Sequence, residues 1–529
     1  MTKKILILIF LAIMYSFLLA TATFAESGDP AGVNYGTAND ITAASAGNPT
    51  QQEIITQVAK NKIGINYVWV MLTAFLIFFF QAGFALVETG FTQAKNALHT
   101  IGMNLVVFVV GTIGFFLTGF AFMFGNAGGF ATLGGPQVLN SGLSAGGWNL
   151  LGLKGFLLSG AAYDASIYAM FFFQMVFMDT TVTIPTGAMA ERVKFLAVVI
   201  TSFFISMLYY PIYGGWVWGG GWLSQLGVKL GLGNGAVDFA GSGVVHAMGG
   251  MLALAGAMII GPRIGKFKKD GTPANIPGHD IPMAVLGTII LFFGWFAFNA
   301  GSTLSGTDFR LAVVATNTMI AGAVGGFVSM VYMWIKTGKP DIAMTCNGSL
   351  AGLVAITAPC AFVNGVSAFI IGLVAGILVC VSSATIEKLK IDDPVGAFSV
   401  HGVNGIWGLI SVGLFADGTY GAGLNGVPTA VTGLLYGGGF GQLAAQLIDV
   451  AVIIVYGFGL SYLFFKVLDM TVGLRVKAEH EISGLDLHEM GALAYPDFQL
   501  LPGLHATGVI KKRAGFEAPE IERKMAAEA

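Results

Sequence analysis

The chain has 529 residues, of which 55% are hydrophobic and 10% charged, and its formal net charge is −2. Soluble domains average about 25% charged residues, so this composition excludes an ordinary soluble protein and indicates a membrane protein. The small net charge argues against nucleic acid as a partner. Glycine contributes 76 residues, which suits transmembrane helices whose backbones approach closely.

The N-terminus has the pattern of a signal peptide. Lys3 and Lys4 precede an apolar run, and Thr23-Phe24-Ala25 at its end resembles a signal-peptidase site. An uncleaved first transmembrane helix is the alternative, but the polar stretch from Glu26 onward favours cleavage. The predicted domains are a signal peptide (1–25), an extracytoplasmic segment (26–64), a transmembrane domain (65–469) and a cytoplasmic tail (470–529).

Apolar segments long enough to cross a bilayer follow in sequence. A transmembrane helix needs about 20 predominantly apolar residues. Eleven segments qualify, at roughly 65–89, 99–125, 166–190, 195–220, 239–262, 282–302, 311–336, 342–360, 364–386, 397–416 and 440–467.

Basic residues in the connecting loops predict the orientation. With the mature N-terminus outside, the odd-numbered loops are cytoplasmic and carry eleven basic residues: Lys95, Arg192, Lys194, Arg263, Lys266, Lys268, Lys269, Lys336, Lys339, Lys388 and Lys390. The opposite loops carry three, namely Lys154, Lys229 and Arg310. Because cytoplasmic loops are enriched in Lys and Arg, the N-terminus is expected outside and the C-terminus inside.

Two histidines lie deep in predicted spans and share a sequence context. His246 occurs in "DFAGSGVVHAMGG" and His401 in "DPVGAFSVHGVNG". An aspartate precedes each histidine by eight residues (Asp238, Asp393), and a glycine follows each by four (Gly250, Gly405). The fifth and tenth spans run in opposite directions, so both histidines are expected near mid-depth, about 12 Å of helix from each aspartate.

The matching contexts of the two histidines, on spans of opposite direction, predict an all-α polytopic membrane protein. It has two inverted five-helix repeats and a final eleventh helix. A histidine inside a membrane indicates a functional site. The alternative is that each imidazole hydrogen-bonds a neighbouring helix and stabilises packing. Two neutral imidazoles in repeat-related positions can donate to each other and line a path for protons or a small polar molecule.

Other chemistry is sparse in the sequence. Cys346, Cys360 and Cys380 lie in or at the ends of apolar spans without metal-like spacing, so we interpret them as packing residues. No cofactor loop or nucleophile constellation is found in the sequence. We therefore expect no enzyme activity, no cofactor and no metal.

Seven motifs resemble the ammonium transporter family (Amt/Mep/Rh), and most closely its Amt branch. They are "QAGFALVETGFTQAKNA", "FQMVF…GAMAERVKF", "VWGGGWL", "DFAGSGVVH", "GWFAFNAGS", "DDPVGAFSVHGVNGIWG" and "GLRV…GLD", in the family's order over about residues 65–495. The resemblance implies eleven helices in two inverted halves, assembled as a homotrimer with one pore per subunit.

The resemblance also implies roles for individual residues. It assigns the external ammonium site to Trp218, Ser302 and Phe177, and the stacked rings at the pore mouth to Phe177 and Phe298. It makes His246 and His401 the twin pore histidines. By the same resemblance, Asp238 supports the structure and the positive charge without touching the substrate. An aromatic face attracts a cation, although Trp is also common at membrane interfaces and Phe in cores. Asp238 also suits a helix cap, since it directly precedes the predicted fifth span.

One departure from the family lies in the third span. Asp179 stands two residues after Phe177, where the family usually has a small apolar residue, and Pro185 is expected to interrupt this helix. An acid in mid-span is costly and needs partners. Either the hydroxyls of Thr180, Thr181 and Thr183 satisfy it locally, or Asp179 belongs to a modified proton or cation path.

A second departure lies in the tail. Met490 and Ala492 stand where the family commonly has His and Glu. The family's tail couples subunits and contacts a PII-type nitrogen signalling protein, which makes such a protein a candidate partner. The extension from Pro496 onward predicts only a solvated or membrane-apposed tail.

We therefore expect an ammonium transporter or channel of a bacterial-type inner membrane. It recruits NH4+ at an outer vestibule, deprotonates it and conducts NH3 through a hydrophobic pore with twin histidines. The sequence leaves open whether a proton crosses as well. The alternative is an Amt-like sensor that signals, although a tail of about 60 residues is short for a signalling domain. An Rh-type channel is disfavoured by Trp218 and "GLRV", and a Na+-coupled transporter by the paired histidines and phenylalanines.

Overall fold

The computed structural model describes residues 50–496 apart from 420 and 422–425. Ten helices in this part are long and apolar enough to cross a membrane, and a shorter apolar helix stands eighth in chain order. We label these eleven helices α1 (Gln51–Phe91), α2 (Ala94–Phe124), α3 (Ala165–Met189), α4 (Phe195–Val217), α5 (Ser242–Ile260), α6 (Ile281–Gly301), α7 (Leu311–Thr337), α8 (Ile342–Thr357), α9 (Gly365–Lys388), α10 (Phe398–Phe415) and α11 (Gly441–Thr471). The predicted all-α polytopic membrane fold is confirmed.

Helix packing repeats between the two halves of the chain. In the first half α1 packs on α2, α2 on α3, and α3 on α5; in the second half α6 packs on α7, α7 on α8, and α8 on α10. The halves meet where α1 contacts α6 and α5 contacts α10. This pattern matches the predicted inverted repeat and brings α5 and α10 to the centre.

Helices α5 and α10 cross at unusually short range. A Cβ at Gly250 would collide with the backbone of Gly402, and a Cβ at Gly405 with the backbone of Ser242 and Ala247. Both helices also begin with a π-helical turn, Ser242–Ala247 in α5 and Phe398–Val403 in α10. Such turns are rare and are often found at functional sites. The glycines four residues after each histidine therefore allow the crossing that brings the histidines together.

Several boundaries differ from the sequence prediction. Helix α1 begins at Gln51, fourteen residues before the predicted start at 65, because a capping box links Thr50 and Glu53. This end of α1 is exposed. Helix α5 begins at Ser242 rather than 239. The predicted signal peptide lies outside the described residues, as does the chain from 497 onward.

The loop between α2 and α3 contains a small hairpin that was not predicted. Strand β1 (Gly142–Ala145) pairs antiparallel with β2 (Trp148–Gly152), with Gly142 opposite Gly152. The turn residues Gly146 and Gly147 have φ of 57° and 79°, the conformation that two-residue hairpin turns require. The loop after α4 includes a short helix, Leu226–Leu230.

Pro185 does not interrupt α3, contrary to the prediction. The helix continues from Ala165 to Met189 with Pro185 inside it. Proline removes one backbone hydrogen bond, but neighbouring helices bury this turn on all sides and hold it in place. The three cysteines are free and buried, as the packing interpretation predicted.

On the predicted cytoplasmic side, Arg263 joins two acidic residues from other loops. Its Nε lies 2.8 Å from Asp392 Oδ2, and its Nη1 pairs with Glu191. All three side chains are buried. Burial opposes ionisation of Asp392, but the hydrogen bonds and charge of Arg263 prevail and lower the pKa of this carboxyl to about 2.

The tail folds back onto the same face in two short helices, α12 (Ala478–Ser483) and α13 (Leu485–Glu489). The Asp486 carboxylate accepts the backbone N–H groups of Leu98 and His99, at 3.1 and 2.9 Å. Lys95 Nζ donates to the carbonyls of Glu481 and Ile482, both at 2.8 Å. The tail thus supplies a cap for the first α-helical turn of α2.

Candidate functional site

An open cavity lies at the predicted outer ends of α3, α4 and α6. It has about 1060 Å³ of empty space, including solvent at its mouth, and its lining includes Phe177, Trp218 and Ser302. Trp218 directly follows α4 and Ser302 directly follows α6. The carbonyl ends of helices carry partial negative charge, so both termini favour a cation here. The structure thus brings together the three residues predicted for an external site.

Ser302 and Trp218 are held by hydrogen bonds to backbone carbonyls. Ser302 Oγ donates to Phe298 O at 2.8 Å, and Trp218 Nε1 donates to Asp238 O at 2.6 Å. Because the Ser302 hydroxyl proton is used in this bond, its lone pairs are left to accept an N–H. The indole ring is half-buried and turns its surface to the cavity.

A stack of phenylalanine rings closes the cavity on its inner side. The ring centroids of Phe177 and Phe298 lie 4.0 Å apart with an interplanar angle of 24°. The Phe80 ring also stacks on Phe298, with the ring centroids 5.3 Å apart. Phe177 and Phe298 are both buried. The rings therefore separate the outer cavity from the residues below them.

The two histidines lie directly beyond this stack. His246 lies 5.6 Å from Phe298 between ring centroids, and its Nδ1 is 3.2 Å from Nδ1 of His401. Trp295 stacks on His246 at 5.0 Å, and its Nε1 donates to Thr357 Oγ1. Both imidazoles are buried among apolar and aromatic groups. The structure thus pairs the histidines that the sequence singled out.

Asp238 caps the start of α5. Its carboxylate accepts four backbone N–H groups at 2.8–2.9 Å, from Gly241, Ser242, Gly243 and Val244. The predicted helix cap is therefore present, although Asp238 precedes the helix by four residues instead of one. Its counterpart Asp393 accepts from Gly396 and Phe398 at the start of α10. These caps hold the π-helical turns that carry the histidines.

A second, much smaller cavity lies on the far side of the histidine pair; its empty space of about 340 Å³ includes space open to solvent. His401, Phe84, Glu88 and Asn347 are among its lining residues. Glu88 is 2% exposed and bonds to Asn104 and Thr186. The outer cavity, the ring stack, the histidine pair and this inner cavity form a continuous series of contacts through the helix bundle.

Asp179 lies away from this series, and the predicted threonine partners do not bind it. The hydroxyl of Thr180 donates to Val176 O, that of Thr181 is directed to backbone carbonyls, and that of Thr183 donates to Asn104. Asp179 is 3% exposed, and its Oδ1 has no hydrogen-bond partner in the described part of the chain. Local satisfaction by the threonines is therefore wrong, because each hydroxyl is occupied elsewhere.

Sequence reasoning did not single out Glu88, Trp295 or Phe84. Glu88 had a usable signal, since it is an acid within the apolar run "QAGFALVETGF". Trp295 and Phe84 had none, because an aromatic residue in an apolar span is normally a packing residue. Only the packing of α1 and α6 against α5 and α10 places these two rings against the histidines.

The fold and this series define a class of protein: a multi-pass membrane protein with an internal repeat and, between two cavities, stacked aromatic rings and a buried pair of histidines. Comparison with known proteins narrows the class. Residues 68–495 match the model of the Ammonium Transporter Family. The chain belongs to this family.

Individual relatives agree with this assignment. The chain is 45% identical to ammonium transporter Amt2 of Archaeoglobus fulgidus over 460 residues, which cover 87% of this chain and 93% of that protein. It is 34% identical to ammonium transporter 1 member 3 of Solanum lycopersicum, over 82% and 93% of the two chains.

Two solved structures are similar as well. One is a sensor Amt protein, with 38% identity, a TM-score of 0.70 and coverage of 82% of this chain and 99% of that one. The other is Candida albicans Mep2, with 28% identity, a TM-score of 0.68 and coverage of 82% and 90%.

Proposed function

We propose that this protein transports ammonium. NH4+ binds in the outer cavity at Trp218, Ser302 and Phe177, gives up a proton to solvent water in this open cavity, and crosses as NH3 past the stacked rings and the histidine pair. The observation that carries the proposal is the unbroken contact of Phe177 with Phe298, of Phe298 with His246, and of His246 with His401, between two cavities.

The chemistry of this path favours a neutral species. Transfer of a bare cation from water to an apolar interior costs roughly tens of kcal/mol by Born estimates. Transfer of a neutral polar molecule costs only a few kcal/mol. At the outer cavity the cation is stabilised by aromatic faces, each contributing ~0.5–2 kcal/mol, and by the Ser302 oxygen. Beyond Phe298 these groups are replaced by apolar walls and imidazoles, so deprotonation precedes passage.

Selectivity follows from the same contacts. K+ has no N–H to donate to Ser302 and no neutral form in which to cross the ring stack. The imidazole pair offers a hydrogen-bonding surface to NH3 between the two cavities. We expect ammonium and methylammonium to be substrates and K+ to be excluded.

The setting of the transporter is part of the proposal. We place it in a bacterial-type inner membrane, with the mature N-terminus after residue 25 outside and the tail from residue 470 inside. The basic loops support this orientation. A homotrimer with one pore per subunit is supported by the family. A PII-type protein is a candidate regulator at the predicted cytoplasmic face.

A sensor is the second candidate function. The similarity to a sensor Amt protein, of which this chain covers 99%, favours it. A sensor binds ammonium in the outer cavity without passing it to the inner one. The two functions therefore differ in flux and agree in binding.

Uptake measurements decide between them. We expect expression of the chain to restore growth of an ammonium-uptake-deficient strain on low ammonium. Purified protein in vesicles should accumulate labelled methylammonium, with competition by ammonium but not by K+. Binding without accumulation would contradict transport and support the sensor.

A further inference from the structure

Glu88 is a buried acid that the proposed path does not yet use. It lies on α1 one helical turn after Phe84. The ring centroids of Phe84 and His401 are 5.9 Å apart. Glu88 and His401 line the same inner cavity. Residues four apart share one face of a helix, so the carboxyl faces the space that a molecule enters after passing the histidines.

The partners of Glu88 suit both a carboxylic acid and a carboxylate. Asn104 Nδ2 donates to Glu88 Oε2 at 2.8 Å, and the orientation of this amide is set by Thr183, whose hydroxyl donates to Asn104 Oδ1 at 2.8 Å. An N–H donor stabilises either form of the acid, as a bond to the carbonyl oxygen or to the carboxylate.

Thr186 provides a bond that can reverse. Its Oγ1 lies 3.0 and 2.9 Å from the two Glu88 oxygens and 2.5 Å from Thr183 O, but the hydroxyl has a single proton. When that proton points to Thr183 O, the Thr186 oxygen accepts a proton from a neutral Glu88. When it rotates towards Glu88, it donates to the carboxylate. Either state keeps its hydrogen bonds, so the change of state needs only a hydroxyl rotation.

We propose that Glu88 is the residue that returns a proton to ammonia in the inner cavity. This inference rests on the proposed transport of ammonia and deepens it. The Glu88 O–H bond breaks as an N–H bond forms on the nitrogen lone pair, which yields NH4+ and a carboxylate. The carboxylate then takes the proton that the histidine pair carries from the outer cavity, and the imidazolium becomes neutral. One ammonia and one proton cross in each cycle, so transport moves one positive charge.

The test measures the charge moved per substrate with full-length protein in vesicles. The ammonium-evoked current on a supported membrane gives the charge moved, and the flux of ammonium in the same preparation gives the substrate moved. The first divided by the second is the ratio of charge to substrate. We expect about one charge per substrate for the unchanged protein. Glu88→Gln keeps an acceptor for Asn104 and a donor for Thr186, so it preserves the network without a titratable proton. We expect this variant to lower the ratio at least tenfold while the flux stays within about threefold.

Two further variants make the result specific. Glu88→Asp keeps an acid and should retain the ratio. Asp449→Asn is the matched control, because Asp449 is also a fully buried acid, bonded to Tyr213 Oη at 2.6 Å, but it does not line the inner cavity. We expect this control to leave the ratio unchanged.

The outcomes are distinguishable. An unchanged ratio in Glu88→Gln, or loss of flux together with current in a folded variant, overturns the role of Glu88. Flux without current in the unchanged protein also overturns it, while leaving ammonia transport intact. Absence of flux in the unchanged protein contradicts transport itself. If Glu88→Gln does not fold, Thr186→Val removes the reversible bond at similar volume and should lower the ratio several-fold; no change there overturns the proposal.

Discussion

His246 and His401 face each other through Nδ1 atoms 3.2 Å apart, although 155 residues separate them in the chain. Only one proton fits between two Nδ1 atoms, so the neutral pair has opposite tautomers. One ring has its proton on Nδ1 and a bare Nε2, and the other has the reverse. The pair therefore presents one donor and one acceptor at its Nε2 atoms, and passing a proton along it exchanges these roles.

Removing both imidazoles should impair transport and selectivity. We expect His246→Ala combined with His401→Ala to reduce methylammonium uptake about tenfold, the equivalent of one lost hydrogen bond of ~1.4 kcal/mol. K+ should then begin to compete, because the path loses the groups that hydrogen-bond ammonia. His99→Phe is the control, since His99 is a fully buried histidine beside Phe195 that lines neither cavity. Unchanged uptake and selectivity in the double variant would show that the histidines only stabilise packing.

Asp238 should contribute more to stability than Asp393. Asp238 accepts four buried N–H groups and Asp393 accepts two. An unsatisfied buried donor costs ~1–3 kcal/mol, so we expect Asp238→Ala to lower the free energy of unfolding by at least about 3 kcal/mol. Thermal unfolding in detergent measures this change, with Asp393→Ala as the comparison. Equal losses in the two variants would contradict the prediction.

Asp179 should be dispensable for transport. It lies outside the lining of both cavities, and its Oδ1 is unpaired among the described residues. We expect Asp179→Asn to change the flux and the charge per substrate by less than about twofold. Asp179→Leu should raise stability, by ~1–3 kcal/mol, because it removes a buried polar group that lacks a partner. A large loss of current in Asp179→Asn would instead place this residue on a proton path.

Asp392 should make the stability of the folded protein sensitive to acid. Its pKa is lowered to about 2 in the folded protein, against about 3.9 in an unfolded chain. Ionised Asp392 therefore adds stability that is present above pH ~4 and is lost as the pH falls from ~4 towards the folded pKa.

Asp392→Asn should flatten the dependence of the unfolding midpoint on pH over this range. Its effect at neutral pH is a separate loss, because it leaves Arg263 with Glu191 alone. Thermal unfolding midpoints of the unchanged protein and of Asp392→Asn, measured from pH 6 to pH 2.5, test this prediction. Parallel curves for the two proteins would show that Asp392 is not the titrating group.

The sequence alone predicted the helices and the pairing of the histidines, for a physical reason. Apolar length identifies a span, and the aspartate and glycine at equal distances from His246 and His401 reveal the repeat. Glu88 and Trp295 required the structure, because their importance depends on which helix faces which. The hydrogen bonds of Thr183 similarly depend on Asn104, a residue on another helix, so its failure to satisfy Asp179 was not visible in the sequence.

Asp486 has a consequence for biosynthesis. It caps the N–H groups of Leu98 and His99, yet it is separated from Leu98 by 388 residues. A ribosome adds about 5–20 residues per second, so this end of α2 spends tens of seconds without its cap while the rest of the chain is made. Until then, the N–H groups of that turn must form hydrogen bonds with water at the membrane surface. Docking of the tail is therefore one of the last folding steps. The loop between α1 and α2 reaches its final structure only after all eleven helices have been made.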